Sequence, residues 1–157
     1  MRIGIVIYSE TGNTLYVAQG IIERLTAAGN VAVLERVTPI GKPNPSDKQV
    51  IYERIPDLGV YDALVFGSPV QAFSLALGMS RFIPQLEQLN GKRASVFATQ
   101  QLPFAWLGGN RAVSQMRALL KEKGATVSIA GSVNWSSKAR QDQITSVIDN
   151  AVRQILV

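Results

Sequence analysis

Apolar residues along the chain switch between two spacings, and the switches mark out its elements. Ile3-Gly4-Ile5-Val6-Ile7-Tyr8 is a short β-branched run and predicts a strand buried on both faces. A polar loop follows at 9–14. Ala18, Ile21, Ile22 and Leu25 then fall at helical spacing, and Gly29-Asn30 supplies the stop. Val31 to Val37 predicts a second strand. Thr38 to Pro45 carries three prolines and predicts an extended loop, with a short helix expected within Ser46 to Ile55. Asp62 to Gly67 predicts a third strand. Met79, Phe82, Ile83 and Leu86 mark one face of a helix that Pro84 should kink or delay.

The second half repeats the alternation. Asn90-Gly91-Lys92 is a turn, and Arg93 to Thr99 a fourth strand. Asn110 to Lys123 predicts a helix capped by Asn110, burying Val113, Met116, Leu119 and Leu120 and stopped by Gly124. Thr126 to Val133 is a fifth strand. Ser137 is placed to cap a last helix that buries Ile144, Val147, Ile148 and Ala151. Strands that alternate with helices imply an α/β fold: a doubly wound, five-stranded parallel sheet with helices on both faces. The 157 residues suit one domain, 1–157, with neither a repeat nor a linker. In such sheets ligands bind beyond the carboxyl ends of the strands, so function is sought in the loops that follow strands.

Composition narrows the chemistry. Hydrophobic residues make up 46% and charged residues 17%, an ordinary globular mix. There is no Cys and no His. Thiolate nucleophiles, cysteine-held iron–sulfur clusters, histidine bases and the Ser-His-Asp triad are therefore excluded. Redox chemistry on this chain would need a borrowed organic cofactor. No run reaches the roughly 18 apolar residues of a membrane span. The N-terminus has no signal-peptide pattern, so a cytoplasmic protein with no membrane partner is the expectation. Residues 1–90 hold seven Lys+Arg and eight Asp+Glu, whereas residues 91–157 hold nine and three. That basic half fits an acidic partner or a phosphate-bearing ligand. No dense basic run or recognition motif supports nucleic acid.

The first strand runs into Ser9-Glu10-Thr11-Gly12-Asn13-Thr14. Three hydroxyls, a glycine and an asparagine at the start of a helix describe a phosphate cradle, because free N–H groups and the helix dipole favour an anion there. Gly12 permits close backbone approach or a positive φ. Each of these residues alone is an ordinary capping residue; the set, in this order and place, favours phosphate. The loop has no lysine, so it is not a nucleotide P-loop, and it is not a Gly-x-Gly-x-x-Gly turn. A terminal monophosphate held by dipoles suits it.

Ser9-Glu10-Thr11-Gly12-Asn13-Thr14 after an N-terminal strand resembles the FMN phosphate loop of the flavodoxin family, and the element order continues the likeness over essentially the whole chain. The resemblance implies a flavodoxin-like sheet of order 2-1-3-4-5 with FMN at the strand tips. The uninterrupted fifth strand resembles the short-chain group. Two further loops fit a flavin: Ser68-Pro69-Val70-Gln71-Ala72-Phe73-Ser74 after the third strand, and Gln100 to Gly109 after the fourth. Phe73, Phe104 and Trp106 are candidate walls for its ring, and Ser68 and Thr99 candidate contacts to the ribityl chain or ring edge. Pro69, Val70, Gln100, Gly108 and Gly109 complete the expected cofactor-binding set. No catalytic residue and no metal site is expected.

The family's loops are commonly acidic; those two loops carry no acid, while Arg81, Arg111, Lys138 and Arg140 are expected near the ligand end. Fewer carboxylates lower the Coulomb cost of negative charge on a reduced flavin. Three functions are compatible: a flavodoxin-type electron carrier between protein partners, an NAD(P)H-dependent quinone or flavin oxidoreductase, and a non-redox phosphate-ligand binding module. The carrier is favoured, with a redox partner protein that is acidic or NAD(P)H as the partners, in a monomer or homodimer. A hydrolase would need a Gly-x-Ser-x-Gly elbow, which is absent.

Overall fold

The computed structural model describes all 157 residues. Strands β1 (Arg2–Ile7), β2 (Val31–Arg36), β3 (Ala63–Gln71), β5 (Arg93–Gln100) and β6 (Thr126–Asn134) form the parallel sheet, and a two-residue strand β4 (Ser74–Leu75) pairs antiparallel with β3. The order is β2-β1-β3-β5-β6, which is 2-1-3-4-5 when the parallel strands alone are counted. Helices α1 (Asn13–Ala27) and α4 (Arg140–Leu156) cover one face; α2 (Leu77–Ser80) and α3 (Gly109–Glu122) cover the other. The protein has the flavodoxin-like α/β fold that the sequence predicts.

The period of two in the central strands feeds two cores. Ile3, Ile5 and Ile7 of β1 pack with Ala63 and Val65 of β3 and with Val17, Ile21, Val147 and Ala151 from the helices. Val6, Leu64, Phe66 and Val96 point the other way, onto Met79, Phe82, Met116 and Leu120. Each fully buried side chain of this size contributes about 1.5–3 kcal/mol. No helix is long and apolar enough to cross a membrane.

Five details differ from the sequence expectation. No helix forms within 46–55. The backbone there bonds to the preceding loop instead: Ile40 N–H donates to Ile51 O and Glu53 N–H to Thr38 O, around a Pro39–Tyr52 bridge. Val50 and Tyr52 are buried two residues apart, which is an extended period and not a helical one. The Tyr52 hydroxyl donates to Gly78 O, and Arg54 pairs with the buried Glu35, which also accepts from the Tyr61 hydroxyl.

The third strand runs on past Gly67 to Gln71 and turns back at Ala72-Phe73 into β4, so the expected loop is a hairpin. Pro69 keeps its place as an acceptor: its carbonyl takes the Ala76 N–H from the returning chain, and its missing N–H lies past the end of β1. The helix around Pro84 is neither kinked nor late. It is split into the single turn α2 and a 3₁₀ turn at Ile83–Gln85, although Met79, Phe82, Ile83 and Leu86 are all buried as expected. Asn110 lies inside α3, behind Gly108 at the N-cap. Ser137 accepts the Ala139 N–H three residues before α4 begins, while Ala139 takes the N-cap position.

Strand β6, at one edge of the sheet, carries a bulge. Val96 pairs with Ile129 but Phe97 pairs with Gly131, leaving Ala130 over. From there Gln100 pairs with Asn134.

Candidate functional site

The three loops that follow β1, β3 and β5 meet at the carboxyl end of the sheet. Gly12 holds φ at 92°, and the first intrahelical bond of α1 runs from Tyr16 N–H to Gly12 O at 2.9 Å. The N–H groups of Asn13, Thr14 and Leu15 therefore have no partner within the helix. No side chain caps this end and no acid lies in its first turn. Ser9 Oγ accepts the Gly12 N–H at 3.2 Å and shapes the loop from inside. Thr14 is buried and its Oγ1 lies 2.8 Å from Thr99 Oγ1, tying the loop after β1 to the end of β5.

A pocket of about 100 Å³ opens where these elements meet. Glu10, Thr11 and Asn13 form one wall, Pro69, Val70 and Gln71 a second, and Thr99, Gln100 and Gln101 the third. Seven of the expected cofactor residues line it: Glu10, Thr11, Asn13, Pro69, Val70, Thr99 and Gln100. Gln71 and Gln101 were not anticipated. Both follow from where their strands end, which the hairpin moves for β3. Ser68 is buried behind this wall, its hydroxyl donating to Pro69 O.

Gln100 is buried to 6% exposure. Its NH₂ reaches the Leu102 and Phe104 carbonyls and Asn134 Oδ1, and its Oε1 has no partner. A buried amide oxygen without a donor is costly, about 1–3 kcal/mol, and this one faces Gly109, 3.6 Å from where a Cβ would stand there. On another wall the Tyr8 hydroxyl donates to Glu10 Oε1 at 2.5 Å. Burial, with the adjacent Glu10 carboxylate, pushes the Tyr8 hydroxyl well above the usual tyrosine range, so it stays a neutral donor.

The remaining expected residues do not line the pocket. Phe104 and Trp106 are exposed and stack on each other, 5.9 Å apart and nearly parallel. Phe73 stands exposed at the hairpin tip. Gly108, at φ 131°, lets the Phe73 backbone and Val70 close onto α3: a Cβ there would lie 2.6 Å from Val70 Cγ1 and 3.0 Å from Phe73 Cα. Gly109 packs against Ser132. Arg111 is exposed in the first turn of α3, and Arg140 stacks over Trp135 at 5.6 Å. Of the four cations expected at this end, Arg111 and Arg140 stand in the first turns of α3 and α4, whereas Arg81 lines a different pocket; no acid other than Glu10 lines this one.

No family model matches the chain. An alignment 129 positions long, covering 71% of this chain, is 29% identical to an NAD(P)H dehydrogenase (quinone) from Archaeoglobus fulgidus, and it spans 66% of that relative's length, just under two thirds. Among solved structures the fold matches flavodoxin 1 from Bacillus cereus with a TM-score of 0.72 at 17% identity, over 99% of this chain and 97% of that one. A Streptococcus pneumoniae flavodoxin matches at 0.71 and 18% identity, with 99% and 97% covered. A WrbA-like flavodoxin from Agrobacterium tumefaciens matches at 0.68 and 12% identity, with 98% and 94% covered.

Proposed function

We propose that the chain binds FMN at this end of the sheet, the pocket of about 100 Å³ holding only the part of the cofactor nearest the α1 N-terminus and the strand ends while the rest lies across the exposed loops, and that it serves as an electron carrier between protein partners. The observation that carries the reading is the uncapped, acid-free N-terminus of α1 opening into a pocket walled by the ends of β3 and β5. The residues fit the group. The phosphate would take the free N–H groups of α1 and the hydroxyl of Thr11, with Thr14 held beneath by Thr99. The ring edge would find Pro69, Val70 and Gln71 on one side and Gln100 and Gln101 on the other. When bound, FMN supplies one- and two-electron transfer that a chain without thiols has no side chain to perform. What the protein adds is binding, exclusion of water by the 69–71 wall, and an electrostatic surround with a single carboxylate at the rim.

A second reading has its own support. The Archaeoglobus fulgidus relative is named as an NAD(P)H dehydrogenase of quinone. Direct NAD(P)H oxidation by this chain, with Arg111, Lys138 and Arg140 receiving the dinucleotide phosphates, is the alternative. The purified protein titrated with FMN should show saturable quenching of flavin fluorescence at micromolar concentration. Thr11→Ala combined with Thr14→Val should weaken that binding about 100-fold or more. No saturation would remove the FMN reading. Anaerobic addition of NADPH to the yellow protein separates the two functions: persistence of the yellow colour supports the carrier, and bleaching within seconds supports the oxidoreductase.

A further inference from the structure

A second pocket lies on the far side of the β3–β4 hairpin. Its volume is about 870 Å³, and it is enclosed by the 45–49 loop, the hairpin, the split helix region and the middle of α3. That size is ample for a small organic ligand, whose sites run roughly 300–1,000 Å³. Leu75, Leu77, Pro84 and Leu119 give it an apolar lining. Lys48 and Arg81 are the charged residues in its wall, and no acid faces them.

Arg81 is the informative group. Its Nε is buried without a hydrogen-bond partner. The two ion pairs of the molecule, Arg24–Asp149 and Arg54–Glu35, leave it aside. Its charge is felt by Tyr52, whose ionisation it eases against the larger opposing effect of burial. The buried Nε is closed to a ligand and anchors the group, so the guanidinium would meet one through its two terminal nitrogens, a pair that, set among apolar side chains, matches a planar two-oxygen anion. A phosphate fits less well, because the α3 residues in the wall, Gln115, Ala118 and Leu119, lie mid-helix where the backbone N–H groups are already bonded. The walls in turn ask for an apolar body on the anion.

We propose that this pocket binds a small monocarboxylate with an aromatic or aliphatic body, its carboxylate on Arg81. The site is separate from the FMN reading and does not depend on it. Gln71 lines both pockets, so a ligand here lies against the back of the wall that faces the candidate cofactor pocket.

The test is an NMR titration of the ¹⁵N-labelled full chain, with and without FMN, using 1-naphthoate as probe and the neutral 1-naphthalenemethanol as control. Saturable shifts at the Arg81 Nε–H and at the amides of Ser74, Leu75 and Ala118 are expected, with naphthoate binding tighter than the alcohol. Arg81→Gln should lower naphthoate affinity about tenfold and bring it level with the alcohol. Ala118→Phe, at an exposed helix position, should fill the pocket and abolish both, leaving FMN affinity unchanged. The proposal is overturned by equal affinity for naphthoate and the alcohol in the unmodified chain, by undiminished binding in Arg81→Gln, or by shifts confined to residues 9–14 and 100–104. Failure of FMN to bind alongside the expected shifts would count against the cofactor reading alone.

Discussion

Two connections at the same end of the sheet reach left-handed backbone by opposite means. The loop after β1 places φ +92° on Gly12, where a Cβ would have open space around it. The hairpin after β3 places φ +49° and +61° on Ala72 and Phe73. Two-residue hairpin turns of this kind ordinarily carry Asn-Gly or Asp-Gly, because each non-glycine residue there costs about 1–2 kcal/mol. The first loop holds its shape by local preference. The second is held from outside: Gln115 Oε1 of α3 accepts from Ser74 Oγ and Leu75 N–H, and Gly108 admits the Phe73 backbone against the start of α3. Strain kept by tertiary contacts at a pocket wall is a recurrent mark of a working surface.

The largest test of that contrast is a pair of glycine substitutions. Gly108→Ala meets both an unfavourable φ and a collision with the hairpin, so urea denaturation should show a loss of about 3 kcal/mol. Gly12→Ala meets only the φ and should lose about 1 kcal/mol. Equal losses would erase the distinction. Next in size, Gln115→Ala strands the Ser74 hydroxyl and the Leu75 N–H, and should cost about 2 kcal/mol and raise amide exchange at Ser74 and Leu75 without touching residues 9–14. Replacing Ala72-Phe73 by Asn-Gly should act in the opposite direction, adding about 1 kcal/mol. If FMN affinity falls while stability rises, the Phe73 ring serves the ligand.

The smallest effect is alkaline. Tyr52 and Tyr8 brace the segment behind the hairpin, and burial pushes the Tyr52 hydroxyl up to about 12. A raised folded-state value means that the folded chain holds the proton longer than the unfolded one, whose tyrosines ionise near pH 10. That stabilisation is present in full below pH 10 and is lost as pH rises towards 12. Thermal melts should therefore fall over that window, and Tyr52→Phe should flatten the fall.

The same contrast explains what the sequence made legible. The order of strands and helices and the faces they bury follow from local signals: period and glycine stops; the hydroxyls and glycine at 9–14 likewise mark where the first strand gives way to a helix. The hairpin was hidden because Ala72 and Phe73 carry none of the residues that announce a turn. The 46–55 segment misled because its partners lie elsewhere: the backbone of 38–40, the Gly78 carbonyl and Glu35. Composition marks Phe104 and Trp106 as candidate ring walls, but nothing in their spacing announces that they stack on each other. Gln71 and Gln101 carry no sequence signal because their place in the pocket wall is set by where the strands end.

The leftover Ala130 in β6 acts like a leap day. Up to Ile129 the edge strand and its neighbour keep a common count; after it, β6 runs one residue ahead. Without that extra step the ladder would bring the apolar Val133 opposite Gln100 in place of Asn134. The amide that orients Gln100 would then be out of phase, on the other face of the sheet. One strand thus keeps two calendars, the earlier timed to its neighbours in the core and the later to the rim of the pocket. The interruption also leaves its outer edge a poor template for a stray strand.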